Sequence, residues 1–133
     1  YSLQVATEGR EFHEITREVA AQVKAAKISE GLATVHLQHT SASLVIQENA
    51  DPAVQNDLEA WFSRLVPRGD PLYTHTAEGP DDMPSHVRAA LTATSLSVPI
   101  EDGSLALGSW QGIYLWEHRD DPRRRSVVVH LAD

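Results

Sequence analysis

No cysteine occurs in the 133 residues, which removes disulfides, thiolate metal sites and cysteine nucleophiles. No apolar run approaches the length that crosses a bilayer, and no signal-peptide pattern opens the chain. A cytoplasmic location is therefore expected, with no membrane partner. Basic charge is scarce: 11 Lys and Arg stand against 19 Asp and Glu, a formal net charge of −8. That excess repels a phosphate backbone, so nucleic acid is not an expected partner. Repeats, low-complexity tracts and linkers are also missing. The length fits one domain over residues 1–133, large enough to bury its own core. Neither an H-E-x-x-H metal signature nor a long glycine-rich phosphate cradle is found.

What is there reads as alternating strands around a few helices. Residues 3–8 alternate as a strand, and Thr16 is placed to cap a helix through Lys27 with Val19, Val23 and Ala26 on one face. "LATVHLQH" sets Ala33, Val35 and Leu37 against Thr34, His36 and Gln38, a half-buried strand, and "SLVIQE" reads as the next. "ADPAVQNDLEAWFSRLVP" is the clearest helix. Asp51 caps it, Pro52 opens it, Pro67 marks the stop, and Val54, Leu58, Trp61, Phe62 and Leu65 form a core-facing stripe. Residues 67–82 then make a long loop with three prolines and two glycines, of a length that in compact domains tends to be functional. A short helix, "PSHVRAALTATS", is expected to turn Val87, Ala90 and Leu91 inward. Strands follow: "LSVPI" and "SLALGS" around the hairpin signal Asp102-Gly103, then "GIYLWEH" paired with "RSVVVHL". The expected class is α+β, a mostly antiparallel sheet with two to three helices packed on it.

Polar groups gather in "HLQHTSASLVIQEN", where His39-Thr40-Ser41 and Glu48-Asn49 flank apolar residues. Together with His75, Asp82, His86 and Glu117 they form a candidate constellation. Three histidines and a carboxylate make the ligand set of an open divalent-metal site, and Asp82 and His86 stand four apart across a helix start, able to share a face. Each also has a structural reading: Asp82 as a helix cap, His39 as a turn partner, Thr40 and Ser41 as strand ends. In "LGSWQGIYLWEHRDDPRRR", Trp110 is either core or the wall of a pocket, while Arg123 and Arg125 either grip phosphate oxygens or ride a solvated hairpin tip. His13, His36, His118 and His130 read as ordinary surface or strand histidines.

Four stretches in order, "HTSASLVIQENAD", "YTHTAEGPDDMPSHVRAAL", "PIEDGSLALGSWQGIYLWE" and "PRRRSVVV", resemble the YjbQ family, also called secondary thiamine-phosphate synthase. The resemblance spans essentially the whole chain. It implies a compact α+β fold assembled as a homotrimer, with a polar pocket built from His39, His75, Asp81 and His86, and Glu48, Asn49 and Glu117 nearby. A flat exposed edge along the C-terminal "SVVVH" strand would also favour assembly.

Three functions compete. The first is a metal-assisted enzyme joining a pyrimidine-methyl diphosphate to a thiazole phosphate. In it a divalent metal (Mg or Zn) sits on His39, His75, His86 and Asp82, and Thr40, Ser41, Asn49, Trp110, Arg123 and Arg125 bind substrate. The second is a metal-dependent hydrolase in which Glu48 or Glu117 activates water. The third is a trimeric, non-enzymatic binding protein for a small anionic phosphometabolite.

Overall fold

The computed structural model describes residues 1–133 as eight strands and three helices: β1 (Ser2–Thr7), β2 (Glu11–Glu14), α1 (Thr16–Ala26), β3 (Gly31–Leu37), β4 (Ala42–Glu48), α2 (Pro52–Leu65), α3 (Asp82–Leu91), β5 (Ser95–Glu101), β6 (Ser104–Leu105), β7 (Gln111–Glu117) and β8 (Arg123–Ala132). All strand pairs are antiparallel, and the class is α+β. The strands divide into two sheets, a five-stranded one ordered β1-β8-β3-β5-β6 and a three-stranded one ordered β2-β7-β4. No helix is long and apolar enough to cross a membrane.

The alternation along each strand decides what lies between the sheets. Val5, Val35, Leu37, Val98, Val127 and Val129 of the large sheet meet Ala42, Leu44, Ile113 and Leu115 of the small one, closed at one side by Ile15 and Val19. The other face of the small sheet carries Trp116, which packs with Phe62 and Val66 beneath α2. β7 is thus covered on both faces, which is why Gly112 through Glu117 are all buried. Asp102 (φ 50°) and Gly103 (φ 78°) form the expected tight turn between β5 and β6, with φ positive at both as such a turn requires.

Several expectations are corrected. β7 and β8 do not pair: β7 lies between β2 and β4, whereas β8 lies between β1 and β3. Residues 118–122 cross from one sheet to the other instead of turning back, and Glu117 and Arg125 meet across the gap between the sheets. The C-terminal strand is consequently central, and the open edge expected there does not exist. Thr16 does not cap α1. Ile15 occupies that position, while the Thr16 hydroxyl donates to Glu14 and accepts from the Ile113 N–H, and Ala26 is exposed. In α2, Asp51 does accept from the Ala53 N–H, but only Phe62 of the expected stripe is buried, and Trp61 and Leu65 are about half exposed. The inward face of α3 is polar: Asp82, Ser85 and Arg88 are buried with Pro84, and Leu91 faces out. Hydrogen bonds explain this orientation. The Ser85 hydroxyl donates to the His118 carbonyl, and Arg88 donates to Glu59.

Candidate metal centre and anion cleft

The strand ends at Ser41 and Glu117, the start of α3 and the long loop converge at one end of the two-sheet stack. The loop is pinned there on both sides. Arg68 pairs with Asp120, and Arg119 Nη2 donates to the Glu78 carbonyl at 3.0 Å. Gly79, at φ 104°, makes the turn that feeds α3. His75 is thereby held against the helix although it belongs to a loop.

Three side chains meet at this point. Nitrogens of His75 and His86 and a carboxylate oxygen of Asp82 all lie within 4.8 Å of one another. His75 Nε2 stands 2.8 Å, and His86 Nε2 3.2 Å, from the same oxygen, Asp82 Oδ2. Asp82 is the buried member, its side chain 6% exposed, while the His75 side chain is 53% exposed, so the group is open on one side. The i, i+4 spacing of Asp82 and His86 puts both on one face of α3. The capping alternative for Asp82 does not apply: Asp81 holds the cap position, and neither carboxylate caps the helix by its side chain.

Arg119 orders the centre from behind. Its Nη1 donates to Asp82 Oδ1 at 2.7 Å and its Nε to Asp81 Oδ2 at 2.9 Å, with the Asp120 N–H also donating to Asp81. Burial opposes ionisation of Asp81, but the Arg119 hydrogen bond outweighs it and brings the carboxyl down to about 2. Asp82 is lowered as well: burial raises it, while the hydrogen bond from His75 and the charges of His86 and Arg119 prevail. Both carboxylates are ionised near neutrality.

The backbone selects the histidine tautomers. His86 Nδ1 lies 2.9 Å from the Thr40 carbonyl, which can only accept, so Nδ1 carries the proton and the neutral ring presents a bare lone pair at Nε2. That lone pair points at a carboxylate oxygen. Two acceptors at 3.2 Å are stable only with a cation between them, a proton or a metal. His39 is the reverse case. Its Nδ1 accepts from the Ser41 N–H at 3.2 Å, which leaves Nε2–H as the donor. Burial first, then the Arg125 guanidinium, hold His39 below its ordinary value and therefore neutral. His39 is absent from the ligand group, contrary to the expected four-residue set; its Nδ1 accepts from the Ser41 N–H in the turn. It instead lines, with Thr40, His86, Ala89, Ala90 and Thr94, a cleft of about 250 Å³ beside the centre.

Other expected residues are placed differently. Ser41 is buried, its Oγ accepting from Arg125 Nη2 at 2.9 Å. Arg125 is not on a solvated tip: it is 2% exposed and paired with the fully buried Glu117. Glu117 also accepts from Thr7 and from the N–H groups of His118 and Arg119, so its oxygens are occupied by donors and none is left for water. Arg123 is partly buried, with a buried Nε that has no partner. Glu48, Asn49 and Trp110 stand at the opposite end of the small sheet, where Glu48 pairs with Gln111 while Ala42 pairs with Glu117. Seven strand residues separate the ends, roughly 20 Å at the usual rise. There Glu48 accepts from the Asp51 N–H, Asn49 donates to Glu14, and Trp110 is 65% exposed.

Arg119, Thr94 and His118 escaped the sequence reading. Arg119 sits in the charged run "HRDD", which looks like a solvated turn, and nothing local marks it as buried. His118, read as ordinary, is 1% exposed, accompanied by Ser43, Phe62 and Trp116. Burial, and secondarily the charges of Arg88 and Arg125, push it down to about 3.

Comparison with known proteins agrees with this architecture. The family model described as UPF0047 protein YjbQ-like matches residues 1–133. The UPF0047 protein sll1880 of Synechocystis is 50% identical over 130 residues, covering 98% of this chain and 88% of that protein. YjbQ of Escherichia coli O157:H7 is 41% identical over 131 residues, with 98% and 94% covered. Among solved structures, a YjbQ/UPF0047 protein of Clostridium acetobutylicum superposes with a TM-score of 0.91 at 37% identity, and the conserved hypothetical protein TT1486 of Thermus thermophilus with 0.88 at 37%. Each match covers 99% of both chains.

Proposed function

The chain belongs to the YjbQ-like UPF0047 family, and on that premise we propose that it is a metal-assisted enzyme acting on a small phosphorylated metabolite. The observation that carries the reading is the convergence of His86 Nε2 and His75 Nε2 on the one ionised oxygen Asp82 Oδ2, with the Thr40 carbonyl holding the His86 Nδ1 proton on the far side of the ring. Two imidazoles and one carboxylate suit a Zn-class divalent cation with positions left open for substrate, and two nitrogen donors make them a poor site for the oxygen-seeking Mg²⁺. Such a cation would supply charge neutralisation at a phosphoryl oxygen. The residues of the chain do the rest. Arg119 fixes Asp82, Thr40 fixes His86, and the His39 Nε2–H with the Thr40 and Thr94 hydroxyls offers donors to an anionic group in the cleft.

The named reaction to test first is the one the family resemblance implies, joining a pyrimidine-methyl diphosphate to a thiazole phosphate. The methylene–oxygen bond breaks with its electron pair leaving on pyrophosphate, and the thiazole nitrogen lone pair forms the new C–N bond. A hydrolase is less well served, since Glu117 is saturated with donors and Glu48 lies at the far end of the sheet. The reading includes a homotrimer, supported by the exposed apolar Trp61, Leu65 and Leu91, and takes the cytoplasm as its compartment, where small phosphorylated metabolites are available.

The test is titration of Zn²⁺ and Mn²⁺ into wild type and His75→Ala, followed by assay of coupled product and released pyrophosphate. Stoichiometric metal binding lost in the variant, with metal-dependent product, is the expected result. Metal binding without product from these substrates would favour the binding-protein reading, and no metal binding at all would end the proposal.

A further inference from the structure

A buried chain of donors ends on His39, one of the residues that line the cleft. Glu117 and Arg125 begin it. Arg125 Nε donates to Glu117 Oε1 at 2.7 Å, and Arg125 Nη2 donates to Ser41 Oγ at 2.9 Å. A guanidinium has only protons to give, so the Ser41 oxygen accepts there and keeps its own proton for another partner. That partner is His39 Nδ1, 3.1 Å away. The Ser41 N–H donates to the same nitrogen at 3.2 Å. One serine therefore aims its hydroxyl and its amide proton at a single ring nitrogen. Ser41 is 1% exposed, so bulk water does not compete for either bond.

Two donors on Nδ1 leave His39 one neutral form, with its proton on Nε2, on the side of the ring away from Ser41. They also oppose the imidazolium. A proton on Nδ1 would meet the Ser41 N–H, and the Arg125 charge stands behind the hydroxyl. Burial first, and Arg125 next, hold His39 below its ordinary value, in keeping with that setting. Nor can the ring give up its Nε2 proton near neutrality, since an imidazolate would be left. Acid–base work is closed to His39 in both directions, and a fixed hydrogen-bond donor remains. His86 on the same cleft is the opposite case, with its Nδ1 proton on the Thr40 carbonyl. Adjacent backbone groups, the Thr40 carbonyl and the Ser41 N–H, thus set two histidines in opposite tautomers.

Building on the phosphate reading of the cleft, we propose that Ser41 is a positioning residue that locks His39 as a neutral Nε2–H donor to a phosphoryl oxygen. His39 touches the ligand. Ser41 acts only through that ring, and Arg125 with Glu117 holds the Ser41 hydroxyl in place. A donor set before the anion arrives needs no reorganisation on binding. The two histidines of the cleft divide the work, His86 toward the cation and His39 toward the anion.

Long-range proton–nitrogen NMR of the full chain without added metal reads the tautomer, with the His39 signals identified by their loss in His39→Gln. Wild type should show His39 with a bare Nδ1 and a protonated Nε2. Ser41→Ala should turn this into a mixture of the two tautomers. Inorganic phosphate should also bind the Zn²⁺-loaded Ser41→Ala chain about tenfold more weakly per folded molecule. Ser41→Thr, which keeps the hydroxyl, should restore both tautomer and affinity. Ser41→Cys gives a second route should Ser41→Ala fail to fold, its weaker S–H donor moving both readouts the same way by less. A proton on His39 Nδ1 in wild type overturns this inference while leaving the phosphate reading standing. So do an unmixed tautomer and unchanged phosphate affinity in folded Ser41→Ala or Ser41→Cys, which would show that the backbone N–H suffices. Wild type with the expected tautomer but no phosphate binding overturns the phosphate reading, and with it the donor role of His39.

Discussion

Arg119 Nη1 donates to Asp82 Oδ1 at 2.7 Å, and this one buried bond decides which oxygen of Asp82 is left to face the two histidines. The same guanidinium holds Asp81 and the Glu78 carbonyl. It therefore ties the loop that carries His75 to the helix that carries His86. Groups that orient a ligand in this way are worth about 10–100-fold in metal affinity.

Arg119→Gln should therefore weaken metal binding by about that factor per folded molecule. It should also lower stability by about 3–5 kcal/mol, because two buried carboxylates lose their cation. Arg119→Lys keeps the charge without the fork and should recover stability more than metal affinity. Parallel metal titration and urea unfolding check both. Metal affinity unchanged in folded Arg119→Gln would remove it from the centre.

His86→Ala separates a ligand from a structural contact. The ring contacts the Thr40 carbonyl and Asp82 Oδ2 and is part-exposed, so its loss should cost no more than about 2 kcal/mol. Metal binding should be abolished. If the melting temperature collapses while the metal affinity of the folded fraction persists, His86 is structural.

Acid should destabilise the fold through a histidine far from solvent. His118 has a folded value of about 3 against an ordinary 6.5, so between those limits the unfolded chain binds more protons than the folded one. Stability from this group is complete above pH 6.5 and falls as pH drops toward 3, by about 1.4 kcal/mol per unit at the steepest. Asp81, lowered to about 2 from 3.8, adds stability present above pH 3.8 and lost as pH falls through 2. Urea unfolding at pH 7, 5.5 and 4.5 should show the decline, and His118→Gln should flatten it even if it starts lower. A parallel slope in the variant would point to other groups.

How much of this was readable depended on the range of the determining interactions. The Asp51-Pro52 helix start and the Asp102-Gly103 turn are set by neighbours in the chain, and they stand where the sequence puts them. Asp82 and His86 were legible because four helical residues bring them together, and His75 because its loop was too long to be idle. Arg119 and Arg125 were not. An arginine is buried only where a carboxylate awaits it, and Asp81 is 38 residues from Arg119. Glu48 and Asn49 are near His39 in sequence but not in space, because an extended strand carries its ends apart, and Trp110 shares their end of the sheet.

Glu117 and Arg125 bridge the two sheets in a site closed to bulk solvent, Glu117 being 0% and Arg125 2% exposed. Glu117→Gln would leave the guanidinium uncompensated, a change that costs about 3–5 kcal/mol. Unfolding in urea should show that loss. Metal affinity per folded molecule should hold, since Glu117 touches no member of the His75–Asp82–His86 group. Loss of metal binding in the folded variant would show that the pair does reach the centre.

Trp61, Leu65 and Leu91 border a groove floored by Phe62 and Trp116, and each of the three is more than half exposed. Fully burying a side chain of this size stabilises by about 1.5–3 kcal/mol, and since each is already close to half buried, an interface would gain about half of that from each. A hydrophobic stripe on α2 wider than its own core needs is what an obligate contact would leave when viewed in one chain. With the homotrimer as the expected assembly, light scattering should give three times the 14.6 kDa chain mass, independent of concentration. Trp61→Glu introduces a charge at the groove rim, where the folded single chain leaves the side chain in solvent. It should shift the mass toward one chain with the circular dichroism spectrum retained. A one-chain mass for wild type across a wide concentration range would defeat the trimer, and an intact trimer in Trp61→Glu would move the interface to another face.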